Sequence, residues 1–117
     1  MTAVTRTEVP VEIEGDGLEV RFQEIGGDMT VAFIKLPRGT DMAPALKGLP
    51  DDLCQCPHWG FLIKGRVRMR TKEGEESYEA GQAYYWGPGH SPEALEDVEV
   101  MEFSPTKEFQ EVMDHIK

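Results

Sequence analysis

The sequence predicts an all-β domain of sandwich or barrel type, with one helix at its C-terminus. Short segments alternate apolar and polar residues with period two. Gly, Pro and Asp clusters separate them at roughly 8–12-residue spacing. After Ser104-Pro105 the apolar spacing becomes helical. At 117 residues the chain is one ordinary domain, 1–117, with a β core over about 18–104 and a helix over about 105–116.

The elements follow in order. Leu18 to Ile25 alternates cleanly; Gly26-Gly27-Asp28 is a turn signal and Met29 to Leu36 a second strand, so the pair reads as a hairpin. Pro37-Arg38-Gly39 breaks it, and residues 40–52, with Pro44, Gly48, Pro50 and two Asp, read as an irregular surface loop. Leu53 to Lys64 reads as extended, and Gly65 as a turn. Arg66 to Arg70 places Val67 and Met69 on one face and three arginines on a wet face. Lys72 to Glu76 is a hairpin tip, and Ser77 to Ala80 returns from it. Ala83 to Trp86 is a short aromatic strand ended by Gly87-Pro88-Gly89. Leu95 to Phe103 holds a further strand, with Val98, Val100 and Phe103 on one side. Ser104 is the expected N-cap of the terminal helix and Pro105 its first residue. Phe109, Val112, Met113 and Ile116 form that helix's apolar face, which packs on the barrel or on a second subunit.

Composition narrows the function. The formal net charge is −10, from 22 acidic and 12 basic residues. Such a surface repels phosphate backbones, so no nucleic-acid partner is expected. No apolar run approaches the roughly 20 residues that cross a bilayer, so no membrane partner is expected. Met1 to Pro10 lacks the apolar stretch of a secretory signal, and a cytoplasmic location is the expectation. No phosphate-binding Gly-rich motif is present, and no catalytic residue is assigned.

The chemistry-bearing residues cluster. Cys54, Cys56 and His58 stand at i, i+2 and i+4, which in an extended strand is a single face. Thiolate and imidazole bind zinc at about 2.3 Å and 2.0–2.1 Å, so such a strand can offer two or three ligands. A further ligand must come from elsewhere, and His90, after the Gly87-Pro88-Gly89 turn, is the candidate; His115 lies in the terminal helix. Other readings stand beside this one. The cysteines can be small buried hydrophobes, His58 a hydrogen-bonded core histidine, and His90 an exposed turn residue. A Cys–His nucleophile lacks a third, orienting group that the sequence makes legible. A redox thiol pair is disfavoured by the i, i+2 spacing, which in a strand holds Cα atoms about 6.5 Å apart.

Two stretches carry a resemblance. Gly65 lies seven residues after His58, and Gly81-Gln-Ala-Tyr-Tyr-Trp-Gly-Pro-Gly-His90 follows. Over residues 50–104 these resemble the two motifs of the cupin superfamily: two His one residue apart, then a Glu, six further residues and a Gly; then a Gly leading through Pro-x-Gly to a His. The glycines match and the ligands differ. Aligned on Gly65, His58 stands at the family's Glu, Cys54 at its second His and Asp52 at its first. The second-motif ligand would fall at Pro92, and His90 is two residues early. The run Cys54 to His58, Cys-Gln-Cys-Pro-His, with the Pro88-Gly89-His90 turn, is similar to a subgroup of small, largely uncharacterised bacterial cupins. That similarity favours Cys54, His58 and His90 over Cys56.

The resemblance implies a double-stranded β-helix, or jelly-roll, barrel, commonly a homodimer and commonly holding a metal. The expected function is accordingly a cupin barrel binding a divalent transition metal, zinc first, through Cys54, His58 and His90 with Cys56 as the fourth candidate. With one position open it would be a metalloenzyme acting on a small molecule, its reaction unassigned. The alternative is a metal-free module binding or sensing a small apolar or aromatic ligand, lined by the aromatic residues near both motifs.

Overall fold

The computed structural model describes all residues 1–117. Nine strands form two antiparallel sheets. They are β1 (Val11–Gly15), β2 (Leu18–Gly26), β3 (Met29–Leu36), β4 (His58–Lys64), β5 (Arg66–Thr71), β6 (Gly74–Glu79), β7 (Ala83–Trp86), β8 (Ser91–Ala94) and β9 (Val98–Pro105). The larger sheet runs β1-β2-β3-β9-β4-β7 and the smaller β6-β5-β8. Helix α1 (Ala43–Leu46) sits in the long connection and α2 (Thr106–Ile116) ends the chain. No helix is long and apolar enough to cross a membrane.

The β2–β3 hairpin forms as the alternation predicts. Gly27 and Asp28 both take positive φ, +62° and +60°, which suits the tight turn between twisted antiparallel strands. The inward rows of the sheets build the core. Leu36, Leu62, Val67, Met69, Tyr84, Trp86, Val98 and Val100 form one buried cluster. A second joins Val20, Ala32 and Leu46 to the helix residues Phe109, Val112 and Met113. The apolar face of α2 is thus buried against its own barrel. Arg68 and Arg70 stay on the wet face, paired with Glu93, Glu75 and, for Arg70, Asp41.

Four local expectations are corrected. The run from Leu53 is not one strand: β4 begins only at His58, because Pro57 has no N–H to offer a ladder. Ser104 is not a helix cap; it remains in β9, Pro105 occupies the cap position, and no side chain caps α2. Phe103 does not share a face with Val98 and Val100; the period of two puts Glu102 and Ser104 in the buried row instead. The region 40–52 is not wholly irregular, holding α1 and a short 3-10 turn at Pro50–Asp52. Strands β1 and β8 are additions to the expected set.

In β4, His58 and Leu62 face inward while Trp59, Phe61 and Ile63 face out. The pairing of Trp59 with Tyr85 puts Tyr85 outside as well, leaving Tyr84 and Trp86 inside. At the β4–β5 corner, Gly65 has φ +89°, and a Cβ there would sit 2.2 Å from the Asp97 carbonyl oxygen. Gly65→Ala is expected to lower unfolding stability by about 2–4 kcal/mol, read as a drop in the urea midpoint at unchanged m. An unchanged midpoint would refute this account of the corner.

Candidate metal centre

The site is assembled by pairing across the barrel wall. Strand β9 lies between β3 and β4, and its inward row ends in two polar residues, Glu102 and Ser104, both buried. His58 opens β4 on the same interior. Cys54 lies outside any strand but pairs with His90 in an isolated bridge. The Cys54 amide donates to the His90 carbonyl at 2.8 Å, and the amides of Gly89 and His90 donate to the Cys54 carbonyl at 2.7 and 3.1 Å. The bridge needs the backbone bend at Gly89, whose φ is +92°.

These constraints bring Cys54 Sγ and ring nitrogens of His58 and His90 together, all within 4.8 Å of one another and all on buried residues. Cys54 Sγ is 3.8 Å from His58 Nε2. Donors around a tetrahedral zinc stand about 3.4–3.7 Å apart, so the group has nearly the spacing such an ion requires. Both rings are oriented from behind. His90 Nδ1 donates to the Gly87 carbonyl at 2.6 Å, which leaves Nε2 with its lone pair free. His58 Nδ1 is 2.6 Å from Ser104 Oγ and 2.7 Å from Glu102 Oε2, which turns its Nε2 toward Cys54. The ring N–H direction favours Ser104, so Glu102 Oε2 keeps close ion-pair contact without an aligned hydrogen bond. Glu102 Oε1 accepts from the Tyr84 hydroxyl at 3.0 Å. Carboxylate or carbonyl behind a ligating imidazole is the support metal sites commonly use.

Cys56 is set apart. Its sulfur is buried against the Pro57 carbonyl, at 3.5 Å, and lies outside the donor group. Asp52, at the position of the family's first His, is exposed and accepts from the Gly48 amide. His115 meets the Lys47 carbonyl at 2.8 Å, away from the site. Glu102, Ser104 and Tyr84 escaped the sequence reading. The period-two row of Val98 and Val100 leads on to Glu102, but hydrophobicity favours Phe103 for the next inward place.

Electrostatics follow from this packing. Burial pushes the Cys54 thiol up, but hydrogen bonds and charge from His58 and His90 outweigh it and bring its pKa down to about 6. Burial lowers His58, yet the Glu102 charge and the neighbouring thiols hold it well above the usual imidazole range. Burial raises Glu102, and His58 and Tyr84 more than reverse that. Cys56 is pushed up by its burial. Without a metal the site is therefore a thiolate, an imidazolium and a carboxylate at neutral pH. The contribution of His58 is complete below its unfolded value near 6.5 and fades as pH rises through the raised native one. That of Cys54 is complete above its unfolded value near 9 and fades as pH falls to about 6.

No protein-family model and no curated protein matches the chain. Solved structures do. An RmlC-like cupin from Shewanella frigidimarina superposes with a TM-score of 0.64 over 92% of this chain and 93% of its own, at 12% identity. The fold is that of a cupin. KdgF from Halomonas sp. follows at TM-score 0.60 and 18% identity, covering 86% of this chain and 92% of that one. The S161A variant of Bacillus subtilis oxalate decarboxylase matches at TM-score 0.64 and 17% identity over 90% of this chain, which spans only 30% of that larger protein. At these identities the likeness is one of backbone. The Cys/His/His group on this cupin barrel is read from its own residues.

A direct check of the electrostatics is the thiolate absorbance of the metal-free protein against pH. One thiol is expected to titrate near pH 6. In His58→Ala the midpoint should move up toward or beyond the ordinary thiol value of about 8.5. A wild-type midpoint already at that ordinary value would remove the ion-pair description.

Proposed function

We propose that this protein is a metal-binding cupin whose ion, zinc first, is held by Cys54 Sγ, His58 Nε2 and His90 Nε2. One observation carries the reading: each imidazole has its Nδ1 engaged from behind, by Gly87 or by Ser104 and Glu102, so both Nε2 atoms face one buried point with Cys54. The donor set supports zinc. Thiolate with imidazole suits it, whereas oxygen-activating iron prefers two histidines and a carboxylate. Glu102 is in the wrong place for that carboxylate, engaged by His58 and Tyr84.

An ion with three protein ligands and an open position supplies Lewis acidity toward a small carbonyl or carboxylate compound. The protein's own contribution is orientation. Ser104 and Glu102 lock the His58 ring, the Cys54–His90 backbone bridge fixes the spacing of two ligands, and the apolar lumen excludes water. Two free cysteines favour a reducing compartment such as the cytoplasm. The metal-free reading keeps one observation in its favour, the largely apolar cavity behind the site.

The test is the metal content of protein purified without an affinity tag, read by elemental mass spectrometry. Near-stoichiometric zinc is expected in the wild type and in Cys56→Ser, with at least a tenfold loss of affinity in Cys54→Ser and in His58→Ala. Less than about a tenth of an equivalent of any transition metal would remove the reading. Metal unchanged in both ligand variants would remove the ligand assignment.

We also propose a homodimer formed through the outer face of the larger sheet. Apart from Met1, every large hydrophobic side chain that is exposed, Trp59, Phe61, Ile63 and Tyr85, lies on the adjacent outward rows of β4 and β7. Two copies at net charge −10 repel each other, and this uncharged strip is where they can meet. Sedimentation at micromolar concentration is expected to give twice the 13.2 kDa chain mass, and Phe61→Glu the single mass. A monomeric wild type would overturn the assignment.

A further inference from the structure

The donor group stands at the wall of a cavity of about 180 Å³ inside the barrel. Of its 21 lining residues 17 are hydrophobic, contributed by strands of both sheets and by α1 and α2. The titratable nitrogens and oxygens on that lining are those of His58, His90 and Glu102, so the lumen has one polar end. Trp86 is buried there beside His90, with ring centroids 6.4 Å apart. An apolar chamber of about 150 Å³ admits a benzene ring. Away from that end the one side-chain donor without a partner is the Trp86 indole N–H, too little to meet the several groups of a hydroxylated sugar or a second carboxylate. Burying a second polar group there would cost its hydration without return.

We propose that the lumen is the seat of a small monocarboxylate with a hydrocarbon body of about one aromatic ring, its carboxylate at the Cys54–His58–His90 end. The proposal rests on the metal reading, because the metal decides the head group. A divalent ion with one thiolate and two neutral imidazoles keeps one positive charge. Glu102 is held off by His58 and Tyr84, so the ion's remaining position is open to a carboxylate oxygen of the ligand. The body is set by volume and by the apolar wall, and the single head by the single polar end. This excludes sugars, dicarboxylates and phosphorylated metabolites as ligands of the lumen.

The experiment uses cobalt(II) in place of zinc, with benzoate and acetate as probes of equal head and unequal body. Cobalt is expected to give thiolate charge-transfer and ligand-field bands that survive gel filtration. Benzoate should then shift those bands at a concentration at least about 30-fold below that needed for acetate, as burial of six ring carbons allows. The metal-free protein should bind neither. Absence of retained cobalt bands would overturn the metal reading and the head-group assignment with it. Retained bands with benzoate and acetate equally effective would leave the metal reading standing and overturn the proposal. Filling the lumen by Val100→Phe, or by Ile34→Phe should the first not fold, should abolish the preference for benzoate while keeping the cobalt bands. A folded variant of either kind that keeps the preference would place the ligand elsewhere and overturn the proposal.

Discussion

A carboxylate inside an apolar barrel has to be compensated, and how Glu102 is compensated fixes everything polar around it. Fully enclosed, the group costs several kcal/mol unless paired and hydrogen-bonded. Its two oxygens are met by His58 from β4, the strand beside β9, and by Tyr84 from β7, the strand beyond it in the larger sheet. That requirement sets which nitrogen of His58 faces back and which faces Cys54. It also explains Gly60 in β4: a Cβ there would come within 2.6 Å of the Tyr84 ring and 2.8 Å of the Glu102 side chain. The glycine lets tyrosine and glutamate lie across the strand between them.

The donors proper are less firmly seated than their support. His58 is the first residue of a strand, His90 is the residue just before one, and Cys54 belongs to none. What holds Cys54 and His90 is their mutual backbone bridge and the carbonyl of Gly87. The arrangement joins the larger sheet, through His58, to the smaller one, through the approach to β8. The cupin neighbours share the backbone that makes this crossing, at identities too low to share the chemistry.

Much of this was legible in the sequence. Period-two alternation located β2, β3, β5 and β7 nearly to the residue, because one buried face leaves a clear mark on a strand. The helix was legible from Phe109, Val112, Met113 and Ile116. Cys54, His58 and His90 were legible as ligand types near turn glycines, and the structure brings all three together. Cys56 was grouped with them by strand periodicity, which Pro57 interrupts before it applies. Glu102 and Ser104 were illegible for a different reason. Val98-Glu-Val-Met-Glu-Phe-Ser104 alternates twice and then offers both Glu102 and Phe103 for the inward row, and hydrophobicity chooses Phe103. Only the tertiary demand of His58 for an acceptor selects the other phase. Ser104 was read as a helix cap because Ser-Pro carries that local signal, and a buried imidazole nitrogen claimed its hydroxyl instead.

The span between His58 and Ser104, 46 residues apart in the chain, bears on the order of events during folding. No local segment contains the donor group: it exists only after β4, the approach to β8 and β9 have come together. The core cluster of Leu62, Val67, Val98 and Val100 closes that arrangement using no donor atom. A zinc finger is nucleated by its ion and collapses without it. This barrel has the opposite logic: its core closes on apolar contacts that use no donor atom, so an ion at the proposed site would be a guest of a finished chamber rather than its founder.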